Sequence, residues 1–231
     1  MKTIGLLGGM SWESTMIYYQ QLNQSVKEKL GGTHSAKILL YSFDYHELET
    51  LLNQGHWEVI YDQLYERAVQ LISQGAELIV LCANTMHILA EHLRANISVP
   101  LVHIVEATAA EISLKKLKKV LLIGTKFTMQ SSIYQDTCQQ FGIDIITPNA
   151  KDQDMIHQTI YLELIQGIYS KESLDKFIAM IERFKDDGIE GVIMGCTEIP
   201  LLLKGANVGI ELFDTLSIHV AAIIEMVFQK T

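Results

Sequence analysis

Two stretches of this 231-residue chain share one design: an apolar run ending in glycine and small residues, then a later apolar run ending in cysteine. In the first, IGLLGGM at 4–10 leads 74 residues from Gly8 to Cys82 in LIVLCANTMH; in the second, VLLIGTKFTM at 120–129 leads 72 residues from Gly124 to Cys196 in VIMGCTEIP. A loose internal repeat of this kind is expected of two related domains, each opening with a buried strand and later carrying a strand that ends in a cysteine-containing turn.

The apolar runs at 4–8, 37–42, 78–82, 101–104, 120–124, 143–146 and 191–195 are short and rich in Ile, Val and Leu, without polar alternation. Such runs predict strands buried on both faces. Between them, 13–30, 57–74, 85–95, 107–116, 129–141, 152–167 and 171–187 carry helical spacing; Ile60, Leu64, Ala68, Leu71 and Ile72 fall on one stripe. Alternating strands and helices predict an α/β fold with mostly parallel sheets flanked by helices. The expected division is a first domain over 1–100, completed by a last helix within 211–231, and a second over 101–210. The three prolines, at 100, 148 and 200, interrupt none of the predicted helices.

Lys and Arg total 18 against 27 Asp and Glu, a formal charge of -9, and the longest basic cluster is KKLKK at 115–119. Nucleic-acid binding needs a concentrated positive footprint, so it is not expected. No apolar run reaches 18 residues, and no membrane span is expected. Three cysteines without a leader-like start read as free thiols in the cytoplasm.

In an open parallel sheet, ligands bind beyond the carboxyl ends of the strands. Cys82 and Cys196 both fall there, and facing domains would point both thiols into one cleft. Each precedes small and polar residues, Ala83, Asn84 and Thr85 in one case and Thr197 and Glu198 in the other, which inert core packing does not require. Backbone N–H groups of a following helix would lower a thiol pKa below about 8.5. Such a pair could form a disulfide, bind a metal, or act as two bases flanking one carbon. No CxxC motif is present, and the imidazole near Cys82 is His87 rather than a clustered ligand set, so neither a metal nor a cofactor is expected. The third option fits a symmetric cleft: a thiolate removes an α-proton while a thiol on the other face returns one. If that proton has a pKa of roughly 20 against about 8.5 for the thiol, the mismatch is about 16 kcal/mol, which fixed dipoles around the substrate carboxylate must largely offset.

The opening turn GGMSWEST offers Met10, Ser11, N–H groups and hydroxyls to an anion, while Thr125 and Thr128 in GTKFTMQ occupy the matching place. Neither is a dinucleotide or triphosphate loop. Asn84, Thr85 and Thr197 can contact a carboxylate or an ammonium group, Asn84 or Thr85 doubling as a helix cap. Glu198 can pair with a thiol or an ammonium, and His87 and Asp44 are supporting candidates. Cys138, within a helical segment, reads as packing.

IGLLGGM, VLCANTMH and VIMGCTEIPLLL, in that order, resemble the aspartate/glutamate racemase family, whose members are cofactor-independent two-cysteine amino-acid racemases. The resemblance covers nearly the whole chain. It implies a pseudo-symmetric two-domain α/β fold with the site between the domains, a homodimer, and a small amino-acid substrate. It also implies that Cys82 and Cys196 are the catalytic pair and that Met10, Asn84, Thr85 and Thr197 surround the substrate carboxylate. Many members continue the first turn as GGMGPxAT, where this chain has GGMSWEST. Archaeal-type aspartate racemases carry Pro-Asp-Arg-Thr after the second strand and a lysine where this chain aligns Gln158; here the stretch is SFDYHELE. Two cations that would grip a side-chain carboxylate are therefore absent, which leaves room for neutral substrates beside aspartate and glutamate. Related outcomes on the same plan are racemisation or isomerisation of a hydantoin or maleate. The non-enzymatic alternative is a module that only binds an amino acid.

Overall fold

Strands that are apolar on both faces must be covered on both faces, and in the computed structural model, which describes residues 1–229, helices alternate with strands to do so. The chain divides into two units: Met1–His103 with the segment from His219 onward, and Ile104–Ile218.

The first unit runs β1 (Ile4–Gly8), α1 (Trp12–Leu30), β2 (Ile38–Ser42), α2 (Tyr45–Asn53), α3 (Trp57–Ser73), β3 (Leu78–Leu81), a 3₁₀ turn (Thr85–Leu89) and α4 (Ala90–Asn96). Its sheet has the order β2-β1-β3, and every pairing is parallel, with Ile4 opposite both Ile38 and Leu78. β1 and β3 are buried throughout, while β2 is an edge strand whose Leu40 is exposed. The stripe Ile60, Leu64, Ala68 and Leu71 of α3 is buried as its spacing predicts; Ile72 is only partly so.

The second unit runs α5 (Ile104–Leu114), β4 (Lys119–Gly124), α6 (Lys126–Gln130), α7 (Ile133–Gln140), β5 (Asp144–Ile146), α8 (Ala150–Leu162), a 3₁₀ turn (Leu164–Gln166), α9 (Lys171–Asp186), β6 (Gly191–Gly195), α10 (Ile199–Leu202) and β7 (Glu211–Asp214). Its parallel sheet has the order β5-β4-β6-β7. A final helix, α11 (Thr215–Phe228), contains the division between the units. The core joins Leu121, Leu122 and Ile123 of β4 to Val192 and Ile193 of β6, with Phe177 and Ile181 of α9 against them. α9 starts where Ser170 Oγ accepts the Ser173 N–H at 3.1 Å, a cap worth about 1 kcal/mol.

The predicted two-domain α/β organisation with parallel sheets is what the chain adopts. In both units the opening strand lies between its successor and the strand that precedes the cysteine: β1 between β2 and β3, β4 between β5 and β6.

Several predicted elements differ. The apolar run 101–104 is not a full strand: a single parallel bridge joins Ile79 to Leu101, and helix begins at Ile104. Ile104, Val105, Thr108, Ala109 and Ile112 are buried at helical spacing, so that period takes over. The predicted helix 129–141 is two helices, α6 and α7, broken at Ser131 and Ser132. β7 was not predicted because ELFD begins with an exposed charge and fully buries only Phe213. α2 and α10 were also not predicted, being short, with two buried positions each.

Candidate functional site

Parallel pairing puts the end of β1 beside the end of β3, so the opening turn and the Cys82 turn lie at one edge of the first sheet. Leu7 is in register with Leu81, and the Cys82 N–H donates to the Leu7 carbonyl at 2.9 Å, carrying the ladder one residue further. β1 then turns at Gly9, whose φ is +83° and where a Cβ would lie 2.2 Å from the Phe43 carbonyl oxygen. Only glycine fits. The Gly9 N–H donates to Thr15 Oγ1 at 2.8 Å, and the Thr15 hydroxyl donates to the Ser11 carbonyl at 2.9 Å. Ser11 Oγ accepts the Ser14 N–H at the start of α1. Met10 and Ser11 are both buried in this turn.

Beyond β3, Cys82 is fully buried, and burial pushes its thiol pKa far above the ordinary value. Asn84 is also buried; Thr85 opens the 3₁₀ turn. The anticipated capping by Asn84 does not occur: it stands at the cap position with helical dihedrals, and its side chain makes no cap hydrogen bond. His87 is buried and its Nδ1 lies 2.7 Å from the Ala83 carbonyl oxygen. Asp44 follows β2, exposed, and caps α2 by accepting the His46 N–H at 3.0 Å.

The second unit builds the same edge from β4 and β6. Gly124 is in register with Gly195, and a Cβ on Gly124 would lie 2.9 Å from the Gly195 carbonyl oxygen. Thr125 then caps α6: its Oγ1 accepts the Thr128 N–H at 3.3 Å and lies 3.1 Å from the Thr128 hydroxyl, and both threonines are buried. Cys196, partly exposed, follows β6 directly. Its thiol donates to Glu198 Oε2 at 2.9 Å, and the Thr197 hydroxyl donates to the same oxygen at 2.8 Å. Burial chiefly, then the Glu198 charge and this hydrogen bond, hold the Cys196 thiol well above the ordinary range; the backbone N–H groups of Thr197 and Glu198 pull the other way and are outweighed.

That balance corrects one expectation. Helix-terminal N–H groups were expected to favour thiolates, but desolvation is the largest influence on both cysteines and raises the pKa of each thiol. Cys138 packs within α7 as expected, and burial pushes its thiol up to about 12.

Met10, Ser11, Cys82, Asn84, Thr85 and His87 are therefore grouped at one sheet edge of the first unit, and Thr125, Thr128, Cys196, Thr197 and Glu198 at the matching edge of the second. Among the described residues Gln158 is not grouped with them by any bond: it is exposed on α8, where the adjacent residue, His157, faces α6 and accepts the Lys126 N–H on Nδ1 at 3.3 Å. Lys126 itself pairs with Asp154 of α8. Sequence reasoning missed both Thr15, the residue that locks the opening turn, and His157. Only three-dimensional placement singles them out from other polar helix residues.

The profile of the Asp/Glu/Hydantoin racemase family matches residues 7–223. The broad specificity amino-acid racemase RacX of Bacillus subtilis is 25% identical over 228 residues, 92% of each chain. Among solved structures, a Yersinia pestis protein provisionally described as an Asp/Glu racemase is 43% identical, with a TM-score of 0.92 over 99% of this chain and 100% of its own. An aspartate racemase homologue from Pyrococcus horikoshii is 35% identical, with a TM-score of 0.86 over 99% and 100%. With a profile spanning almost its full length and two repeats in which a cysteine directly follows a buried strand, the chain belongs to the Asp/Glu/Hydantoin racemase family.

Proposed function

We propose that the protein is a cofactor-independent amino-acid racemase in which Cys82 and Cys196 act as the two acid/base groups at the substrate α-carbon. The observation that carries this reading is the equivalence of the two cysteines, each the first residue beyond the strand paired to its unit's opening strand. In the proposed cycle one sulfur, as thiolate, takes the α-proton and becomes a thiol. The other, as thiol, delivers its proton to the opposite face and becomes the thiolate. The α-carbon is inverted with no net loss of protons, and the reverse reaction uses the sulfurs in exchanged roles.

Burial favours the neutral form of both sulfurs, so the proposed cycle begins with the loss of one thiol proton. Buried Asn84 and the hydroxyl-rich turns around Ser11, Thr125 and Thr197 supply fixed dipoles for the substrate carboxylate. Glu198 serves as the hydrogen-bond acceptor that keeps Cys196 a proton donor.

Aspartate and glutamate are the first-choice substrates by family and by the names its relatives bear. A wider range that includes neutral amino acids is favoured by one observation: Gln158 carries no charge, and Lys126 is already paired with Asp154. Chiral chromatography of the chiral standard amino acids in both configurations, under reducing conditions and without pyridoxal phosphate, tests the reading. Interconversion of at least one pair is expected; no interconversion of any would reject it.

A further inference from the structure

Three histidines of the first unit are withdrawn from solvent together: His87 and His219 are 0% exposed and His103 is 4% exposed. They come from separate parts of the chain, namely the 3₁₀ turn after Cys82, the segment after the Leu101 bridge, and α11. The His87 ring stands edge to face against both others, with centroids 4.9 Å from His103 and 5.4 Å from His219. Burial lowers all three pKa values to about 3, and His103 and Arg94 push His87 further in the same direction, so the rings are neutral.

Neutrality and the carbonyl partners fix two tautomers. His219 Nε2 lies 2.9 Å from the Val102 carbonyl oxygen, which can only accept, so Nε2 carries the hydrogen. His219 Nδ1 is then an acceptor, and the Tyr18 hydroxyl donates to it at 2.8 Å. By the same reasoning His87 Nδ1–H donates to the Ala83 carbonyl at 2.7 Å. His87 Nε2 is left a bare lone pair with no hydrogen-bond partner among the described residues, in the neighbourhood of the Val102 carbonyl.

A buried acceptor without a partner is a standing cost that a leucine in the same space would not carry. What only the imidazole supplies here is the bond to Ala83, the residue between Cys82 and Asn84. No group of three metal-ligating side chains converges among the described residues, so the cluster is not a metal centre of that size. We propose that His87 is a positioning residue for Cys82: it fixes the Cys82–Asn84 turn through the Ala83 carbonyl, while His219, anchored by Tyr18 and Val102, holds the His87 ring in place.

The consequence for turnover rests on the racemase reading above, but the consequence for the thiol does not. The test therefore reads both. Wild type, His87→Leu, His87→Asn, His87→Gln and Leu22→Ala are each treated with iodoacetamide under native conditions, and alkylation of Cys82 is followed by peptide mass spectrometry with Cys138 as internal standard. Asn places an amide donor close to the Nδ1 position; Gln extends it toward Nε2. Leu22→Ala removes buried side-chain volume from α1 of the same unit and leaves His87 in place.

His87→Leu is expected to speed Cys82 alkylation about tenfold relative to Cys138, as a turn deprived of one buried hydrogen bond opens more often. His87→Asn is expected to stay within about twofold of wild type, and Leu22→Ala to leave the ratio unchanged. Should His87→Leu not fold, the Asn and Gln variants decide, with Gln expected to be the faster. An unchanged ratio in His87→Leu, equal ratios for Asn and Gln, or an equal rise in Leu22→Ala overturns the proposal. Where an amino acid is turned over, His87→Leu is also expected to lower kcat about tenfold with KM nearly constant, and an unchanged kcat counts against it. If wild type exchanges no α-proton at all, the racemase reading fails, while the alkylation ratios still decide the role of His87.

Discussion

The Cys196 thiol donates to Glu198 Oε2 at 2.9 Å, an oxygen that also takes the Thr197 hydroxyl. A carboxylate that accepts S–H stabilises the thiol over the thiolate, and its charge adds to the desolvation that already raises the Cys196 pKa. Cys82 has no such partner in its pKa balance, where burial is the resolved cause. The two sulfurs are thus equivalent in the fold and unequal in electrostatics.

Glu198→Gln removes the charge but keeps an acceptor. The Cys196 pKa is expected to fall, and a drop of about one unit would give about tenfold more thiolate at a fixed pH below the pKa. The check is the pH dependence of Cys196 alkylation in the variant and in wild type, with Cys82 unchanged between them.

The pH dependence of stability follows from buried groups of opposite kind. His87, His103 and His219 have folded pKa values depressed to about 3, so the unfolded chain takes up their protons first as pH falls below about 6.5. Their contribution is present above that pH and lost below it, by about 1.4 kcal/mol per pH unit for each ring. The thiols of Cys82 and Cys138 have raised folded pKa values, so their contribution is present below about 8.5 and lost as pH rises further. Thermal unfolding from pH 4 to 10 under reducing conditions is expected to show a plateau between about 6.5 and 8.5, falling on both sides. A Tm independent of pH from 6.5 down to 4 would contradict the histidine assignment.

Gly9→Ala places a Cβ 2.2 Å from the Phe43 carbonyl oxygen at a positive φ. The expected loss is at least about 2 kcal/mol, since neither the backbone nor the dihedral can yield cheaply. Urea unfolding measures it, and racemase activity is expected to fall with it because the opening turn is displaced.

Thr15→Val removes the acceptor of the buried Gly9 N–H at nearly constant volume. The expected cost is about 1–3 kcal/mol, the penalty of an unpaired buried donor. Thr15→Ser, which keeps the oxygen, is expected to recover most of it in the same unfolding assay.

The organisation of the chain was legible in the sequence wherever a continuous apolar run ended in Gly or Cys, because fully buried parallel strands leave no other pattern. β7 and the 101–104 segment were not, since one shows a charge at its start and the other an apolar run whose helical period begins at Ile104. At the candidate site the residue types at the strand ends were readable, and so was their grouping by sheet edge. The sign of the thiol pKa shifts was not, because it depends on how much water the fold removes from each sulfur. Nor could the sequence say that Asn84 makes no cap bond, that Thr15 locks the opening turn, or that His157 rather than Gln158 meets α6.

The central claim is that two sulfurs, one from each repeat, exchange protons with one α-carbon. It is tested most directly by incubating wild type, Cys82→Ser and Cys196→Ser in D2O with a single enantiomer of an amino acid that wild type interconverts, and following deuterium at the α-carbon together with inversion. Wild type is expected to do both without added cofactor, and each variant to lose inversion by at least about 10²-fold, because a hydroxyl is a far poorer base than a thiolate. Inversion at the wild-type rate in either variant would contradict the account.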